Sequence, residues 1–116
     1  MKQVNWGTTG IKVPAVAMGC MRMAGLEVKD AVNMIEKSVE EGVNFFDHAD
    51  IYGRGKSEEV FAEALTHTSI RREDLFLQSK CAIVPGIMYD FSKEHIIEAV
   101  EGSLLSLIHI SITVLR

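Results

Sequence analysis

The chain has 116 residues, 47% of them hydrophobic and 24% charged, enough for one domain with a packed core. Its 12 basic and 16 acidic residues give a formal net charge of −4, and Arg71-Arg72 is the single adjacent basic pair, which argues against nucleic acid or an anionic membrane surface as a partner. No apolar run approaches the ~20 residues that span a bilayer.

Along the chain, residues 4–6 and 11–13 are short extended segments around Gly7-Thr8-Thr9-Gly10. They predict a β-hairpin, ended by Pro14 because proline has no N–H to give to a sheet. The opening Met-Lys-Gln-Val-Asn-Trp lacks the apolar stretch of a signal peptide. Cys20 and Cys81 are far apart and form no C-x-x-C pair, so they read as reduced thiols, and the chain as cytoplasmic.

Residues 15–19 (Ala-Val-Ala-Met-Gly) predict a strand buried on both faces. Between 28 and 41, Val28, Ala31, Val32, Ile35, Ser38 and Val39 recur at helical spacing, with Lys and Glu on the other side, and Gly42 stops the helix. Residues 43–46 predict the next strand, and Ser57-Glu58-Glu59 opens a helix to about Leu65, its acids favoured by the positive end of the dipole. Residues 76–80 give a third strand. Ser92 caps a third helix with Ile96, Ile97, Val100, Leu104 and Leu107 on its apolar side, and residues 110–115 predict a fourth strand. Strands alternating with amphipathic helices mean parallel β-α-β units with right-handed crossovers. Periodicity alone leaves open whether they form a small open sheet or part of a barrel.

In parallel α/β folds, functional groups collect beyond the carboxyl ends of the strands. That rule selects Gly19, Cys20 and Met21, then Asp47, His48, Asp50 and Tyr52, then Lys80. Within this set Asp47, Tyr52 and Lys80 make chemical sense together. A free phenol, with a pKa of about 10, is a poor proton donor near neutral pH. A lysine ammonium beside it favours the phenolate, and a carboxylate keeps the ammonium charged and in place. Such a unit protonates a carbonyl oxygen while a cofactor supplies hydride to the carbon.

Each residue also has a plainer reading. Tyr52 alone is a loop aromatic, Lys80 a solvated strand end and Asp47 a turn cap. His67 and His95 give Asp47-His48-x-Asp50 no metal-ligand spacing, so no metal is expected, and His48 reads either as a residue supporting the site from behind or as a packing residue. Gly53-Arg54-Gly55-Lys56-Ser57 lacks the length of a phosphate loop and reads as a helix-capping loop.

Phe46-Asp47-His48-Ala49-Asp50-Ile51-Tyr52-Gly53 resembles the signature of the aldo-keto reductases. Ser57-Glu58-Glu59 with Glu63-Ala64-Leu65, and Arg72-Glu73-Asp74-Leu75-Phe76-Leu77-Gln78-Ser79-Lys80, are similar to that family's next helix and third strand, so the resemblance runs from about residue 2 to 104. It implies an α/β fold, the N-terminal half of a (β/α)8 barrel with a leading β-hairpin. It also implies reduction of aldehydes or ketones by hydride transfer from NADPH. Tyr52 becomes the proton donor, Lys80 its electrostatic partner and Asp47 the holder of Lys80. Asp47, Gly19, Cys20 and Met21 become cofactor contacts.

The family's catalytic histidine, at the end of its fourth strand, falls just past Arg116, and His109 lies too early to serve. The second half of the family's fold carries most contacts to the adenosine phosphate and diphosphate. The expectation is therefore a partial domain over 1–116 with an atypical tail at 105–116, altered by truncation or a sequence-end error. Such a chain is expected to be inactive alone and to self-associate through its exposed edges. The alternative is a non-catalytic half-barrel module or binding protein that retains the motif.

Overall fold

The computed structural model describes residues 1–107. The expected strand at 110–115, His109 and the tail from 108 onward lie outside the described residues.

A hairpin of β1 (Gln3–Asn5) and β2 (Lys12–Pro14) opens the chain, paired antiparallel with Val4 opposite Val13. Three β/α units follow: β3 (Met18–Gly19) and α1 (Val28–Glu40), β4 (Phe45–Asp47) and α2 (Lys56–Thr66), β5 (Phe76–Gln78) and α3 (Lys93–Ser106). Strands β3, β4 and β5 lie side by side in that order, all parallel, as β-α-β units require. Asp47 stands in register with Gly19 on one side and Gln78 on the other.

The two ends of this sheet differ in kind. At the amino ends, Phe45 and Phe76 stack at 6.0 Å and Trp6 of the hairpin packs on Phe45 at 5.4 Å. The hairpin thus plugs one end with aromatic surface. The polar residues Asp47 and Gln78 fall at the other end. Helices α1 and α2 cover one face of the sheet, where Ala31, Ile35, Phe46, Val60, Phe61 and Ala64 form the core. Phe46 and Phe61 are fully buried with ring centroids 5.1 Å apart. Each such side chain contributes roughly 1.5–3 kcal/mol by leaving water.

Three expectations are corrected. Residues 15–19 were expected to form a strand buried on both faces, but only Met18 and Gly19 pair, and Ala15, Val16 and Ala17 are exposed. The Ala15 N–H instead donates to the Lys2 carbonyl, continuing the hairpin, and β3 has a neighbour on one side only among the described residues. On α3, capped by Ser92 as expected, Leu107 is buried and Leu104 half-buried, but Ile96, Ile97 and Val100 are exposed. Among the described residues nothing packs over that end of the helix. A second hairpin, β6 (Ile83–Val84) with β7 (Met88–Tyr89), was not anticipated. Pro85-Gly86, with Gly86 at φ 85°, is the turn signal that marks it.

His48 belongs to the core. Its ring is fully buried and meets Phe61 edge-on at 4.6 Å, and neither nitrogen has a hydrogen-bond partner among the described residues. Burial pushes its pKa from 6.5 down to about 4, the Asp47 charge opposing only in part. The unfolded chain therefore binds the extra proton first, so stability contributed by neutral His48 is full above pH 6.5 and is lost as pH falls towards 4. A His48→Phe variant should lose roughly 3 kcal/mol less than the wild type across that window, measured by urea denaturation at each pH. Parallel stability curves for the two proteins would refute this.

The turn before α2 is equally constrained. Gly53 has φ 58°, and a Cβ there would lie 2.4 Å from the Ala24 Cβ. Gly53→Ala should cost about 2–4 kcal/mol, from left-handed strain plus overpacking, read as a lower urea midpoint. A midpoint within error of wild type would contradict the clash.

Candidate active site

The carboxyl ends of the three strands are stitched together by the backbone. Cys20 N–H donates to the Asp47 carbonyl (2.9 Å), His48 N–H to that of Gln78 (2.7 Å) and Asp50 N–H to that of Lys80 (3.0 Å). These bonds fix the directions in which the strand-end side chains leave the sheet.

Asp47 and Lys80 meet there. The ammonium Nζ lies 2.9 and 2.8 Å from the two carboxylate oxygens and also donates to the His48 carbonyl at 2.7 Å. Its position is thus set by three acceptors from one neighbouring strand end. Gln78 donates from Nε2 to Asp47 Oδ1 at 2.7 Å, so the carboxylate is held from two sides. Burial works against the Asp47 charge, but the bonds from Lys80 and Gln78 outweigh it and hold its pKa below the ordinary value. Desolvation likewise works against the Lys80 ammonium, and Asp47 with Tyr52 outweighs it, so the lysine pKa is raised. Both groups are charged at neutral pH.

Tyr52 completes the cluster. Lys80 Nζ lies 5.0 Å from the centroid of its ring, within cation–π range. The phenol is carried by a short turn, Tyr52–Gly55, in which Gly53 and Arg54 are left-handed (φ 58° and 56°). That tight reversal feeds Tyr52 back over β5 before α2 begins. Together Tyr52 and Lys80 face a cavity of about 140 Å³ lined also by Ala49, Asp50, Ile51, Cys81 and Ile83. The arrangement puts a phenol beside a fixed cation at the edge of a small cavity.

The proposed cofactor contacts divide. Gly19 is exposed beside Asp47, and a Cβ built there would meet nothing within 4 Å, so the space over the strand end is open to a flat ring. Met21 is 60% exposed. The Cys20 side chain is 1% exposed and packed in the core, its thiol pushed up to about 12 by burial and the Asp47 charge. Any contact from Cys20 would have to come from its backbone. Gly19 and Met21 thus leave open space beside Asp47.

Two polar residues of the site escaped the sequence reading. Gln78 closes β5 two positions before Lys80, and that i, i+2 spacing in extended chain is the signal for side chains leaving on one side. Glu58, a helix-dipole acid by its place in the sequence, is 1% exposed and accepts from Ser79 Oγ at 2.6 Å and Ser103 Oγ at 2.9 Å. Among the described residues no group of three or more His, Cys, Asp and Glu side chains converges as metal ligands would. No helix among them is long and apolar enough to cross a membrane.

Comparison with known proteins identifies the fold and the family. The solved structure of the aldo-keto reductase AKR11C1 from Bacillus halodurans, in its holo form, superposes with a TM-score of 0.79 at 33% identity, over 93% of this chain and 37% of that one. The uncharacterized oxidoreductase YqkF of Bacillus subtilis is 34% identical over 92% of this chain and 35% of its own length. The 6-dehydroglucose reductase of Novosphingobium aromaticivorans is 34% identical over 87% and 36%. A probable voltage-gated potassium channel subunit beta of Arabidopsis thaliana is 32% identical over 90% and 33%. The chain thus spans about a third of the length of these relatives, and its described part is the first portion of their (β/α)8 barrel preceded by a hairpin. The sequence pattern of the aldo/keto reductase family matches residues 15–108, and the chain belongs to that family of oxidoreductases.

Proposed function

We propose that this chain carries the proton-delivery unit of an enzyme that reduces aldehydes or ketones with NADPH. The observation that carries the reading is the joined Asp47–Lys80 pair with Tyr52 beside it. Tyr52 gives its phenolic proton to the carbonyl oxygen. The Lys80 ammonium stabilises the negative charge that develops on the phenol as the proton leaves. Asp47 holds the ammonium in place and Gln78 holds Asp47. When bound, the nicotinamide supplies hydride, which no side chain can. Asp47, Gly19 and Met21 border the open space where that ring and its ribose would sit, with Cys20 adding backbone alone.

Free thiols at Cys20 and Cys81 fit a cytoplasmic location. The chain spans about a third of its relatives' length, and by itself it is expected to lack turnover. In a version extended through the relatives' remaining length, NADPH oxidation should depend on an added aldehyde. Tyr52→Phe should lower kcat by about 10²–10⁴-fold. A Tyr52→Phe protein as active as wild type would remove Tyr52 from the mechanism.

A second reading is a binding module that keeps the motif without chemistry, and the channel-subunit name of one relative favours it. Aldehyde turnover lost in Tyr52→Phe would exclude it. The exposed Ile87, Met88, Tyr89 and Phe91, with Ile96 and Ile97 on α3, support self-association of the isolated chain. Sedimentation should show a weight-average mass rising with concentration, and a constant monomer mass would refute it.

A further inference from the structure

Glu58 is a buried carboxyl group that the proton-delivery scheme leaves unused. Its carboxyl group is 1% exposed in the first turn of α2, among core residues such as Phe61 and Ala62. Placing a carboxyl group there costs several kcal/mol unless it is well bonded, and an apolar residue would fill the space at less cost. Oε1 instead accepts two hydroxyl protons, from Ser79 at 2.6 Å and Ser103 at 2.9 Å. The shorter bond lies in the charge-assisted range. One partner sits on α3, the other immediately before Lys80.

We propose that Glu58 is a positioning residue for Lys80, acting through the Ser79 hydroxyl. This rests on the reading of Lys80 as part of the proton-delivery unit. β5 ends its regular pairing at Gln78, so Ser79 and Lys80 leave the sheet without a ladder partner on the β4 side beyond the Asp50 N–H bond. The Ser79–Glu58 bond supplies a second anchor, from the helix that follows Tyr52. One carboxyl group thereby ties the element entered by Tyr52 to the strand end that carries Lys80.

Ser79 and Ser103 allow a clean test, because each contributes one bond to the same oxygen. A merely structural Glu58 would feel the two losses alike. The groups facing the lysine are Asp47, Tyr52 and the His48 carbonyl, and they set its titration. The 13Cε titration of Lys80 should be followed by NMR in wild type, Ser79→Ala, Ser103→Ala and Glu58→Gln. Ser79→Ala should move the Lys80 midpoint down by about half a pH unit, as the ammonium loosens from Asp47. Glu58→Gln keeps an acceptor oxygen and should move it less, and Ser103→Ala should leave it in place. Equal shifts in both serine variants, or none in Ser79→Ala, would overturn the proposal. Turnover of an aldehyde by the extended protein is read separately. Its absence in wild type would sink the reductase reading while the titrations still decide the role of Glu58.

Discussion

Everything at the polar end of the sheet depends on one ion pair. Asp47 closes β4, Lys80 lies just past β5, and the two meet only because parallel neighbours end side by side. Neither side chain is deeply buried, at 27% and 47% exposed, so the pair would add little stability if it stood alone on a surface. Its weight is positional. It fixes a cation next to a phenol, and the backbone bonds, Gln78 and Glu58 serve to keep that cation where it is.

The constraint also explains how the molecule is divided. Aromatic rings occupy the amino ends of β4 and β5, with the N-terminal hairpin sealing them. Polar groups occupy the carboxyl ends. Parallel strands force this separation, since every chain enters the sheet at one end and leaves it at the other. His48 marks the border: next in sequence to Asp47, it turns its ring into the core against Phe61 and stays neutral there.

Much of this could be read from the residues. The helical spacing of Ala31, Ile35 and Ser38 gave α1, and Ser92 gave the start of α3, because both signals are local. Asp47, Tyr52 and Lys80 were legible because their chemistry is complementary and the strand-end rule puts them together. What escaped depended on distant partners. The exposure of Ala15–Ala17 and of Ile97 follows from which neighbours cover them, and no local pattern encodes that. Glu58 looked like an ordinary first-turn acid, since its hydroxyl partners lie 21 and 45 positions away.

The two cysteines end up chemically unlike. Burial and the Asp47 charge push the Cys20 thiol up to about 12, and its side chain is packed in the core, which keeps it a poor nucleophile. Cys81 is half-buried and lines the same cavity as Tyr52 and Lys80. The fold has therefore sorted an otherwise equivalent pair into one inert sulfur and one addressable one. The addressable sulfur is a native attachment point for a spectroscopic label, one residue from Lys80.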